Sequence, residues 1–76
     1  MISRVRYNMI GASLAGVERH PQEHMIEIAR DLGVKILTAE PVPIADCWLF
    51  SLEGDSPLIL PDYITRLPSP KGHRER

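Results

Sequence analysis

Pro21-Gln22-Glu23-His24-Met25-Ile26-Glu27-Ile28-Ala29-Arg30-Asp31-Leu32, followed at once by Gly33 and Val34-Lys35-Ile36-Leu37-Thr38, is the stretch that decides the fold. Met25, Ile28, Ala29 and Leu32 stand at offsets 0, 3, 4 and 7, which puts them on one face of a helix. Glu23, Glu27, Arg30 and Asp31 mostly take the other face. Proline suits the first helical position, where an N–H would have no partner, and an acidic residue near the start favours the helix dipole. Gly33 supplies a left-handed stop. The spacing therefore predicts a helix over 21–32. The β-branched run at 34–38 then predicts a strand.

Outward from there, Glu40-Pro41-Val42-Pro43 reads as an extended connector, because closely spaced prolines break regular elements. Cys47 to Leu52 is a second strand, with Trp48, Phe50 and Leu52 on one side and Cys47, Leu49 and Ser51 on the other. Glu53-Gly54-Asp55-Ser56 is turn chemistry, and Pro57-Leu58-Ile59-Leu60 reads as a third strand closing a hairpin. Its flanking prolines place it at a sheet edge. Met1 to Tyr7 alternates imperfectly and fits either a strand or a helix start. A short helix over 10–17 would put Ile10, Leu14 and Val17 on a common face. The sum is an α+β domain over 1–67, one or two helices on a small, mainly antiparallel three-stranded sheet. Residues 68–76 carry no large apolar side chain and read as a flexible tail.

Composition narrows the function. Nine basic against ten acidic residues give a net charge of −1, without the basic excess of a dedicated nucleic-acid binder. The tail, with three basic residues and one acidic, carries +2, leaving −3 on residues 1–67. A single cysteine, Cys47, excludes an internal disulfide. No apolar run approaches the length needed to span a membrane, and the first residues lack a signal-peptide core, so the expectation is a cytoplasmic protein. A domain this short buries a modest share of its surface, and docking onto a partner or a second copy would supplement it.

His20-Pro21-Gln22-Glu23-His24 matches H-x-x-E-H, an inverted zinc-hydrolase motif in which Glu23 would polarise a metal-bound water. Pro21 pushes His20 out of the helical region, and no third ligand follows. The competing reading is an exposed helix start. Cys47 stands beside the anionic Asp46, the wrong neighbour for a reactive thiolate, and reads as a small core residue. Neither a phosphate loop nor a Ser-His-Asp grouping is present. The expectation is a non-enzymatic protein with no metal and no cofactor.

Ile28-Ala29-Arg30-Asp31-Leu32-Gly33-Val34-Lys35-Ile36 is similar to the A-x-x-L-G-V-x-V opening of the ImmA/IrrE family of zinc peptidases from phages and mobile elements. Cys47-Trp48-Leu49-Phe50, Glu53-Gly54-Asp55 and Leu58-Ile59-Leu60-Pro61 would follow as that family's strand, turn and second strand. The likeness spans residues 22–66. In the family the hairpin leads into a helix bearing H-E-x-x-H, whereas here Tyr63-Ile64-Thr65-Arg66-Leu67 leads into Pro68. No catalytic residue carries over. The resemblance implies a non-catalytic relative of the family's N-terminal half, either a regulator from a phage or mobile element or a truncated domain repurposed for binding.

The function expected is thus binding. One helix covers one face of three strands, leaving Leu37, Leu49 and Leu58 or Leu60 to line the other, and a bare apolar face marks an interface with a protein partner or a second copy. The alternative is a small nucleic-acid-binding regulator using Arg4, Arg6 and the tail residues Lys71, Arg74 and Arg76.

Overall fold

The computed structural model describes residues 1–68. The order of elements is β1 (Ile2–Asn8), α1 (Met9–Leu14), α2 (Pro21–Leu32), β2 (Lys35–Val42), a 3-10 turn (Pro43–Ala45), β3 (Cys47–Glu53) and β4 (Ile64–Arg66). They form an α+β fold, two helices on a four-stranded antiparallel sheet of order β2-β3-β1-β4. β1 and β2 both run antiparallel to β3, which lies between them. They therefore share a direction, and the helices make the crossover of a split β-α-β unit.

Helix α2 has the bounds and caps that its sequence dictates. His20 is the N-cap, extended at φ −61°, and its Nδ1 accepts from the Gln22 N–H at 3.1 Å. Gly33 closes the helix at φ 74°. Met25 and Ala29 are buried, and Ile28 packs against the core beside them. The core gathers Val5, Tyr7, Ala12, Met25, Phe50, Leu52 and Ile64. Val34, Ile36 and Trp48 pack against it.

Four details correct the sequence reading. Residues 57–60 form no strand, and the 47–52/57–60 hairpin does not exist. The reason is competition: β3 is paired on both sides, by β1 over its whole length and by β2. Leu58 and Leu60 instead pack against the core, while Ile59 between them is exposed. The missing partners are β1, which the sequence left open, and β4, whose Ile64 sits opposite Tyr7.

The connector prolines do not end β2, which runs through Pro41 to Val42. An edge strand tolerates a proline that cannot donate to a neighbour, and β2 is an edge. Finally, α1 starts at Met9, because the Asn8 Oδ1 accepts from the Gly11 N–H at 3.0 Å. It ends before Gly16, whose φ is 86°. Its inward residue is Ala12; Ile10 and Leu14 face solvent, the latter 84 % exposed.

Candidate functional site

Alternation fixes what each face of the sheet carries. Residues opposite one another in an antiparallel pair point to the same side. Val5 lies opposite Phe50 and Tyr7 opposite Trp48, on the helix-covered face. Arg4 lies opposite Ser51 and Arg6 opposite Leu49, with Thr65 beyond Arg6 and Glu40 beyond Leu49, on the helix-free face. Half-buried Leu49 is thus ringed by polar side chains rather than by other leucines.

The four leucines expected together are dispersed. Leu58 and Leu60 belong to the packing around the core. Leu37 sits at an irregularity in the edge strand, where the register with β3 skips between Ile36 and Thr38, and is 40 % exposed. Arg4 and Arg6 do stand on one exposed face, and neither makes an ion pair among the described residues. Lys71, Arg74 and Arg76 lie outside the described residues.

The sheet has two edges, the three-residue β4 and the longer β2. Residues 37–41 are all exposed, and the strand is paired on one side only, by β3. Its guards are Lys35 at one end, Glu40 and Pro41 at the other, and the register skip at Leu37. Charge, bulge and proline are the usual means of blunting an edge. Between Lys35 and Glu40 the strand is uncharged, and Ile44, just past the strand, is 95 % exposed.

His20 and His24 part company. The His20 ring, exposed at the cap, meets Trp48 edge-on at 5.5 Å. His24 turns inward, where its Nε2 and the Tyr63 hydroxyl share a hydrogen bond of 2.8 Å. Among the described residues no three His, Cys, Asp or Glu side chains group as metal ligands. Glu23 is exposed. Cys47 is buried.

The sequence reading missed the cluster that His24 joins. The chain has one Trp, one Phe and two Tyr, and all four rings form one continuous run. Trp48 stacks on Phe50 at 5.9 Å, and Phe50 meets Tyr7 edge-on at 6.3 Å. Tyr7 in turn meets Tyr63 at 5.6 Å and His24 at 5.9 Å. Such edge contacts between rings add to the stabilisation from area alone. Two buried polar atoms in this cluster, the Tyr7 hydroxyl and His24 Nδ1, have no hydrogen-bond partner among the described residues. A signal for His24 was present: it stands four residues before Ile28, on the inward side of the helix.

Burial, reinforced by the Arg19 charge, holds the His24 imidazole below its ordinary pKa. The folded chain thus favours the neutral ring, whereas the unfolded chain takes up a proton as pH falls past about 6.5. Stability from this group is full above that pH and is lost progressively on acidification through the lower, folded pKa. Urea midpoints measured from pH 7.5 to 5 are expected to fall, and to fall less steeply in a His24→Gln variant. An identical slope in the two proteins would rule His24 out as the source.

No helix of the described residues is long and apolar enough to cross a membrane. No protein-family model matches the chain, and neither the curated proteins nor the solved structures contain a significant match to it.

Proposed function

We propose that this chain is a small non-catalytic protein-binding regulator that pairs an extended segment of a protein partner with the free edge of β2. The observation that supports this is the edge itself: eight residues of strand paired on one side, with an uncharged window between charged and proline-bearing ends. An added strand gains main-chain hydrogen bonds from the edge and side-chain contacts from alternate positions. Leu37 and Ile44 offer apolar contacts beside it. A non-catalytic regulator is also what the resemblance of residues 22–66 to the N-terminal half of the ImmA/IrrE peptidases would imply.

A lysine on an edge discourages strand addition without disturbing the core. Leu37→Lys is expected to change folding stability by less than about 0.5 kcal/mol. It is also expected to remove the partner captured from a lysate of the source organism, as quantified by mass spectrometry. The nucleic-acid reading draws on Arg4 and Arg6, and a salt titration with duplex and single-stranded DNA separates it. Capture unaffected by Leu37→Lys, together with micromolar DNA binding that falls steeply with salt and is lost in Arg4→Ala/Arg6→Ala, would overturn the proposal.

A further inference from the structure

His24, on α2, reaches the edge of the sheet opposite β2. Its Nε2 and the Tyr63 hydroxyl share a hydrogen bond of 2.8 Å, and the two rings lie stacked 6.0 Å apart. Tyr63 immediately precedes β4, the three-residue edge strand, and its carbonyl accepts from the Asn8 N–H at 2.8 Å. At the other end of β4 the Leu67 N–H donates to the Arg4 carbonyl at 2.8 Å. β4 is therefore short, paired on one side by β1, and fastened to a helix through Tyr63. Short edges of this kind are where a fold opens locally.

The fastening suits only the neutral ring. An imidazolium carries an N–H on both nitrogens, and the buried Nδ1 of His24 has no hydrogen-bond partner among the described residues. The titratable groups that meet the ring from other elements are Tyr7 of β1, Tyr63, and Arg19 between the helices. Two are phenols, uncharged near neutral pH, and the third is a cation. On α2 itself, Glu27 pairs with Arg19, Glu23 is exposed, and the His20 ring is turned to Trp48. No carboxylate among the described residues pairs with His24. Protonated in place, this ring is a cation with an unmade donor, and it gains by turning out to water and leaving Tyr63 behind. We propose that His24 and Tyr63 form an acid-released latch on β4: the charged imidazole leaves Tyr63, and β4 comes away from β1 while the rest of the sheet stays paired. The latch lies at the edge opposite β2 and does not depend on strand addition there.

Native-state hydrogen exchange of the full chain tests this, read by two-dimensional NMR at pH 7.5 and pH 5 over sub-denaturing urea and corrected for intrinsic exchange. The reporters are the Asn8 and Leu67 amides, which bridge β1 and β4. Their comparators are the Val5 and Tyr7 amides, which by alternation point to β3. Global unfolding also takes up the His24 proton, so urea dependence separates the two events. Asn8 and Leu67 are expected to exchange through an opening that urea does not promote, the mark of local release. Its opening constant is expected to rise about tenfold from pH 7.5 to pH 5, as uptake of one proton allows. In His24→Gln that rise is expected to vanish. Tyr63→Phe, which keeps the ring, is expected to open the same two amides more readily already at pH 7.5. Three outcomes would each overturn the latch: a urea dependence at Asn8 and Leu67 equal to that at Val5 and Tyr7 at pH 5, an undiminished rise in folded His24→Gln, or unaltered opening at pH 7.5 in folded Tyr63→Phe.

Discussion

Tyr7→Ala is expected to cost about 3–5 kcal/mol, and Tyr7→Phe nothing. The first figure is the ordinary penalty for truncating a fully buried ring. Here the ring also anchors edge contacts to Phe50, Tyr63 and His24, so its loss loosens three neighbours at once. Stability of about 0.05–0.15 kcal/mol per residue gives a chain of this length about 4–11 kcal/mol in all. The alanine variant should therefore be largely unfolded or close to it. The phenylalanine variant removes only a hydroxyl that has no partner among the described residues. An unmade buried hydrogen bond is a standing cost, so its removal is expected to leave the urea midpoint equal or higher. A loss of more than about 1 kcal/mol in Tyr7→Phe would show that the hydroxyl is bonded in solution.

The second large effect is expected at Gly54, just after β3. A Cβ placed there would stand 2.7 Å from Val34 Cγ1 and 3.3 Å from the Val34 Cα. The second contact is to backbone, which cannot swing aside. The Gly54 N–H also donates to the Met1 carbonyl at 2.9 Å, tying this turn to the start of β1. Moving Gly54 to relieve the clash would strain that bond. Gly54→Ala is expected to destabilise by about 1–3 kcal/mol, the usual range for overpacking. Because the clash is with one side chain and its own backbone, Val34→Ala/Gly54→Ala should lose less than the sum of the two single variants. Simple additivity in urea titrations would place the strain elsewhere.

What the sequence discloses and what it conceals divide along range. Helix α2 is legible to the residue because its start, stripe and stop are all local: Pro21, the Met25-to-Leu32 spacing and Gly33. The faces of β3 are legible for the same reason, alternation being a property of one strand. The hairpin over 47–60 failed because a turn between two apolar runs is a local sign, while the pairing it suggests depends on competitors elsewhere. β1 occupied the edge of β3 that Pro57–Leu60 would have needed. β4, three residues long, has no signal of its own; it is a strand because β1 offers it a partner. The site was hidden likewise. His24 and Tyr63 meet across 39 positions, and only the β1–β4 pairing brings Tyr63 beside Tyr7. The uncharged window on β2 emerged only once the prolines proved compatible with an edge.

The place of β1 in the sheet order has a consequence for how the chain is made. This strand is made before both of its neighbours, β3 and β4, which follow the two helices in sequence. Until residues 47–66 emerge, Val5 and Tyr7 have no strand on either side to shield them. Contacts so distant in sequence slow folding and leave apolar strands exposed meanwhile. Helix α2 carries its own start, stripe and stop, and its Met25 face is an apolar surface made before residues 47–66. The sheet can close around β1 only once residues 47–66 have been made, so its pairing is the last local event of this fold rather than the first.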